Sequence, residues 1–201
     1  AGLGVTHLFV RFREIFGKVV ENFASFATPR MRAYIRELKL SEDRIIPQPS
    51  IAELMVNAEV SGVVFTSDPV SGDEKRVVIN ASWGLGEAVV SGIVQPDQYT
   101  VDKQTGDEVE EAFIGSKRIK VVQKSDAPGT KIVSTPLIQR KRRTLSRFWV
   151  KRITVVARVI EERFGPADFE FSIIGNDLYV LQTRFITTGE SKRTEVVQSD
   201  R

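Results

Sequence analysis

Four residues near the C-terminal end could act together on a charged ligand: Asp168, Glu170, Gln182 and Arg184. They lie in the run Asp168-Phe-Glu-Phe-Ser-Ile-Ile-Gly-Asn-Asp-Leu-Tyr-Val-Leu-Gln-Thr-Arg184, where Gly175-Asn176-Asp177 is a turn signal between two alternating segments. That pattern predicts a β-hairpin. With those three residues as the loop, Ile174 faces Leu178, Glu170 faces Gln182 and Asp168 faces Arg184. Directly opposed residues share a face of the sheet. One face then carries the four polar residues at its open end. The other carries Phe169, Phe171, Ile173, Tyr179, Leu181 and Phe185 and reads as a core face. A two-residue loop would shift the register by one and put Gln182 on the face opposite to Glu170. The three-residue loop is preferred because it leaves the apolar face unbroken.

Two carboxylates and an amide oxygen are hard oxygen ligands of the kind that suit Mg²⁺. An arginine beside them can pair with an aspartate or grip a phosphate through two parallel hydrogen bonds. Phosphoryl transfer from a nucleotide needs such parts: a metal on the phosphates and positive charge to offset the transition state. The plainer alternative is an Asp–Arg cross-strand pair on a solvated hairpin face, with no ligand.

The elements that must position this cluster are legible in outline. Leu8, Phe12, Ile15, Phe16, Val19 and Phe23 recur at helical spacing over residues 5 to 23. Thr28-Pro29 reads as the start of a second helix running to about Leu40, before Pro47 and Pro49 break the chain. The middle is β-rich, with strands expected at Val60–Thr66, Arg76–Ala81, Gln98–Val101 and Ile119–Gln123. Between the second and third of these, Ser82-Trp-Gly-Leu-Gly86 is a glycine-containing loop ahead of Glu87. It could cradle a phosphate or be a plain turn, and it lacks the Gly-Lys-Ser/Thr ending of a P-loop. Residues 140 to 164 predict one helix with an apolar stripe of Leu145, Phe148, Trp149, Val156, Val159, Ile160 and Phe164, ended by Gly165-Pro166. Its many Lys and Arg residues read as a solvated basic face rather than a nucleic-acid platform, because the aromatic residues fall on the apolar stripe. It could also dock an acidic partner subunit.

Composition narrows the class. A chain of 201 residues, 41 % apolar and 27 % charged, can bury a sizeable core. The net charge of +3 does not call for nucleic acid. There is no cysteine, which excludes disulfides, thiolate metal sites and a thiol nucleophile. No apolar run approaches the ~18 residues that span a bilayer. A cytoplasmic location is expected. The first residue is Ala rather than Met, as in a processed or trimmed chain. The expected organisation is an N-terminal helical segment over 1–48, an α+β unit over 49–188 and a disordered tail over 189–201.

The pattern also resembles a known family. Asp168-Phe-Glu170-Phe with Leu178-Tyr-Val-Leu-Gln182-Thr-Arg184 is similar to the end of the ATP-binding domain of phosphoenolpyruvate synthase and pyruvate phosphate dikinase. Ser61-Gly-Val-Val-Phe-Thr66 with Asp68-Pro69, and Asn80-Ala-Ser-Trp-Gly-Leu-Gly-Glu-Ala-Val-Val-Ser-Gly92 with Gln95-Pro-Asp-Gln-Tyr99, resemble stretches of the same domain. Rifampin phosphotransferases share these motifs. The resemblance runs from about Val60 to Thr187, and more loosely over residues 20 to 40.

It implies an ATP-grasp-like C-terminal subdomain, with a mixed or antiparallel sheet and packed helices, that binds ATP and Mg²⁺. By it, Glu170 and Gln182 hold magnesium and ATP phosphates, Asp168 and Arg184 complete the phosphate site, and Arg184 supplies catalytic charge. Glu87 falls near the nucleotide or metal. Glu53, in Glu53-Leu-Met-Val56, stands where the family's nucleotide-binding strand has a Gln. The family's lysine- and arginine-bearing first subdomain, its phosphohistidine domain and its barrel for phosphoenolpyruvate and pyruvate have no counterpart here. The only histidine, His7, falls on the first predicted helix outside the family's motif. The expectation is the Mg-ATP-binding part of a dikinase that passes phosphate to a histidine on another domain or chain. A separate chain would then carry the missing parts. The alternatives are a non-catalytic remnant acting as a scaffold, and part of a rifampin phosphotransferase-like enzyme.

Overall fold

The computed structural model describes residues 5–25, 27–29, 32–33, 36 and 49–185. Most of the helix expected from Thr28, and the whole tail expected beyond residue 188, lie outside them. The chain divides into two compact units: Ala1–Asn57 with Val121–Val133, and Ala58–Lys120 with Ser134–Arg201.

In the first unit a 3-10 turn, Phe12–Glu14, leads into α1, Ile15–Ser25. The Glu14 carboxylate accepts from the Arg11 backbone N–H at 3.1 Å and so closes the turn that opens the helix. The regular helix begins later than the periodicity predicts, so His7 precedes it and lies 3.4 Å from Glu21. Phe12, Phe16 and Val20 face outward. Residues 49–58 carry no helix or strand, and Glu53 among them is exposed.

The second unit is built on a five-stranded antiparallel sheet in the order β3-β2-β1-β6-β7. Its strands are β1 Val60–Phe65, β2 Arg76–Trp83, β3 Asp97–Asp102, β6 Ala167–Ile174 and β7 Asp177–Phe185. A separate pair, β4 Ile119–Gln123 and β5 Thr130–Ser134, forms a two-stranded sheet, and β5 has no counterpart among the predicted strands. The glycine-containing loop leads into a single helical turn, α2, Glu87–Val90.

Alternation along the strands sorts the five-stranded sheet into two faces. Registered pairing places Val64, Ile79, Tyr99 and Phe169 in one row, and Gly62, Ala81, Asp97 and Phe171 in the next. This is the core face. The amphipathic helix α4, Arg147–Phe164, packs on β2 and β6 and buries Val150, Ile153, Thr154, Ala157 and Ile160. Each aliphatic side chain so buried contributes roughly 1.5–3 kcal/mol. Ser146 caps the helix by accepting from the Trp149 N–H, and Gly165, at φ 77°, ends it. The helix predicted over 140–164 begins only at Arg147; a separate short turn, α3 Leu137–Arg140, precedes it, and residues 141–146 carry no helix. Its buried side also differs from the predicted stripe. Phe148, Val159 and Phe164 are exposed, because the sheet, not the apolar content, selects which side turns inward.

Two features lock this core. Gly62 sits in the central strand where an added Cβ would lie 2.0 Å from the Asn80 carbonyl oxygen and 2.7 Å from the Phe171 ring. Gly62→Ala should therefore destabilise the unit by about 2–3 kcal/mol through overpacking, read as a lower midpoint in urea unfolding with an unchanged slope. The second feature is a buried charge network. Asp97 Oδ1 accepts from the Lys117 ammonium and, at 2.9 Å, from the Gly115 N–H. Oδ2 accepts from the Thr144 N–H at 2.8 Å, the Thr144 hydroxyl at 2.9 Å and the Tyr99 hydroxyl at 3.2 Å. Both Asp97 and Lys117 are fully buried. Tyr99 also accepts from the Leu145 N–H, and burial pushes its hydroxyl pKa up. The network ties β3 to the segment entering α4.

Candidate functional site

The hairpin of β6 and β7 closes through a two-residue turn, Gly175-Asn176, with Ile174 opposite Asp177. Gly175 has φ 56°, the positive value that a type II′ turn needs at its first position. This corrects the expected three-residue loop. The pairing nevertheless changes at a β-bulge between Glu170 and Phe171, which inserts one residue into β7. Beyond it Glu170 faces Gln182 and Asp168 faces Arg184. The shorter turn and the bulge offset each other at the open end. Near the turn they do not: Tyr179 stands opposite Ser172, on the non-core face. Tyr179, Leu181 and Phe185 are exposed, so the predicted core face holds for Phe169, Phe171 and Ile173 of β6 but not for these β7 residues.

On the face away from α4 the register aligns a polar row. Gln98, Asn80, Val63, Glu170 and Gln182 lie side by side across β3, β2, β1, β6 and β7. At its β6–β7 end, Arg184 Nη2 donates to Glu170 Oε1 at 2.9 Å and to Gln182 Oε1 at 3.3 Å. The arginine thus pairs with Glu170 rather than with Asp168, the residue directly opposite. Arg184 Nε is buried and has no hydrogen-bond partner among the described residues.

Burial raises the Asp168 carboxyl above its ordinary value, with the Arg184 charge opposing the shift. A carboxyl raised in the folded state favours its neutral form. That contribution is complete below the unfolded pKa, near 3.8, and is lost as pH rises through the higher folded value. Asp168→Asn keeps a neutral side chain. It should therefore gain thermal stability relative to the parent as pH is raised from about 3 to about 7, as measured by melting across a pH series.

The remaining sequence candidates are less closely placed. Glu87 is exposed and opens α2, which packs on β1 and β2. A Cβ on neighbouring Gly86 would lie 3.6 Å from Ser61 Cβ, and the Ser61 hydroxyl bonds that of Ser172 at 2.9 Å, so α2 lies on the polar-row side of the sheet. The Gly84 N–H is spent on the Glu59 carbonyl at 2.7 Å. Glu53 belongs to the first unit, apart from the unit that holds the other candidates. In the basic segment Arg143 is paired with Glu108, Lys151 with Asp107, and Arg152 stacks on Trp149. No helix among the described residues is long and apolar enough to cross a membrane.

Among the described residues no group of three or more His, Cys, Asp or Glu could hold a metal. Magnesium does not require one, since it is held through one or two protein oxygens and completed by phosphate and water. Glu170 and Gln182 fit that demand, being hard oxygen donors directly opposed on neighbouring strands. The Arg184 guanidinium between them has a buried donor left over for an anion. Asn80, by contrast, was not legible from the sequence as part of this face. Asn80 shares the face only through pairing across β1.

Comparison with known proteins identifies the family of the chain. The family model for the pyruvate phosphate dikinase AMP/ATP-binding domain matches residues 1–201, so the likeness also takes in the N-terminal residues where the motifs are looser. A probable phosphoenolpyruvate synthase of Archaeoglobus fulgidus is 37 % identical over 183 residues, covering 90 % of this chain and 24 % of that protein. The phosphoenolpyruvate synthase of Pyrococcus furiosus is 33 % identical over 189 residues, 90 % of this chain and 23 % of its own length. A rifampicin phosphotransferase of Bacillus cereus is 36 % identical over 139 residues, 69 % of this chain and 16 % of that protein. The chain thus spans a quarter or less of each of these relatives. With the family model matched from end to end, the chain belongs to the pyruvate phosphate dikinase AMP/ATP-binding domain family.

Proposed function

We propose that this chain binds Mg-ATP through the open end of the β6–β7 hairpin and presents the nucleotide for phosphoryl transfer to a histidine on another domain or chain. The observation that carries the reading is the Glu170–Arg184–Gln182 cluster, whose arginine keeps a buried Nε–H without a partner among the described residues. Glu170 and Gln182 would hold the magnesium ion, which neutralises phosphate oxygens when bound. Arg184 would turn its guanidinium to the phosphates and offset the charge that develops as the phosphoryl group leaves. Asp168 lies on the same face of β6, opposite Arg184. By the family resemblance alone, Glu87 is assigned to the margin of the site and Glu53 is assigned to nucleotide binding. The architecture we infer is an ATP-grasp-like half-site. The remaining phosphate-gripping residues, the phosphohistidine and the acceptor site would be supplied by other domains, on the same chain or on a separate one.

The likeness to a rifampicin phosphotransferase favours a second reading of the acceptor, with the antibiotic in place of pyruvate. The nucleotide site is the same in both. Calorimetric titration of the chain with a non-hydrolysable ATP analogue, with and without Mg²⁺, tests the common core. Binding that requires Mg²⁺ is the expected result. Absence of binding would overturn the reading and leave a scaffold without nucleotide.

A further inference from the structure

We infer that Asn80 is a further ligand-binding residue of this face, with its carboxamide donating to the polyphosphate of the bound nucleotide. The inference rests on the nucleotide reading above and assigns a residue that the hairpin motif does not contain.

Asn80 lies in β2, paired with Val63 of β1, which is paired in turn with Glu170 of β6. All three side chains therefore leave the sheet on the same side. Neighbouring strands are about 4.8 Å apart, so Asn80 and Glu170 stand roughly 10 Å apart with Val63 as the floor between them. A triphosphate chain lying across that floor reaches both.

The surroundings single out Asn80. Its neighbours on the same face of β2, Val78 and Ser82, are buried at 5 % and 1 % exposure, whereas Asn80 is half-buried. Asparagine is depleted from strand interiors. Here it interrupts the apolar run Val77-Val78-Ile79, and its carboxamide makes no hydrogen bond to a described residue. The carboxamide is therefore committed to no neighbouring side chain and stays open to solvent on the polar face. An anion laid along the row would be its acceptor in place of water. Gln98 continues the row on β3, one strand farther from Glu170, and is exposed.

The test is calorimetric titration with the non-hydrolysable ATP analogue and Mg²⁺, comparing the parent with Asn80→Ala, Asn80→Asp and Gln98→Ala, with circular dichroism to check that each is folded. Loss of a hydrogen bond to a charged group weakens binding by about tenfold or more, which is expected for Asn80→Ala. Asn80→Asp should weaken it further, because a carboxylate repels the phosphates, and Gln98→Ala should leave the affinity unchanged. If the parent binds and Asn80→Ala and Asn80→Asp bind equally well, the inference is overturned while the nucleotide reading stands. If the parent does not bind, the nucleotide reading fails and the inference fails with it.

Discussion

Asp97→Ala should lower folding stability by about 3–5 kcal/mol, the largest effect expected of any single substitution in the described residues. The change removes both carboxylate oxygens and strands the groups that bond to them. Lys117 would keep only the Gly115 carbonyl, at 3.1 Å, for a fully buried ammonium. The Gly115 and Thr144 N–H groups would be left buried without their acceptor. Each such group carries its own desolvation cost. For a chain of this size the loss corresponds to a fall in melting temperature of roughly 10 °C or more. The physical cause can be separated from simple loss of packing by adding Lys117→Met to the same background. Removing the orphaned charge should recover part of the stability, since a buried ion pair costs most when only one member remains. If the double variant is no more stable than Asp97→Ala alone, the charge is not the cause.

Glu170→Ala carries the largest expected effect on binding. Magnesium-dependent affinity for the ATP analogue should fall at least about 100-fold, equivalent to roughly 2.7 kcal/mol. The side chain is both a magnesium ligand in the proposed site and the partner that orients Arg184. Stability should change little. The Glu170–Arg184 pair is partly open to solvent, and such pairs contribute roughly 0–1 kcal/mol. Affinity and melting temperature measured on the same sample separate the two effects. A variant that melts like the parent and no longer binds supports the site. One that binds unchanged removes Glu170 from it. Arg184→Ala should also lose affinity for the analogue when magnesium is present, because its role is contact with the phosphates themselves.

Much of the second unit was legible in the residues. Short apolar runs bounded by turn residues identified β1 and β2 to within a few positions, and alternation identified β6, since a strand half-buried on a sheet must repeat every second residue. The polar run Asp168, Glu170, Gln182 and Arg184 stood out because carboxylate, amide and guanidinium are an unusual set to place on one hairpin. Gly165, read as the stop, marked the end of α4 locally. Its start was not found: residues 140–146 were read as helix, whereas α4 begins at Arg147 behind the Ser146 cap.

The relations between elements were not legible, and the hairpin shows why. The pairing of Glu170 with Gln182 followed from a three-residue loop that does not exist. It arises instead from a two-residue turn compensated by a bulge, and a bulge depends on the partner strand rather than on any local residue type. The same holds for the side of α4 that turns inward. Phe148 and Val159 are apolar enough for the core, but the sheet received Val150, Ile153 and Ala157. Asp97 and Lys117, far apart in the chain and unremarkable in composition, become a buried pair only once β3 and the segment after it are packed. Residue chemistry and short-range periodicity were thus determined by the sequence alone. Which side chains share a face, and which charges leave water together, were decided by tertiary packing, because both depend on neighbours that local spacing does not specify.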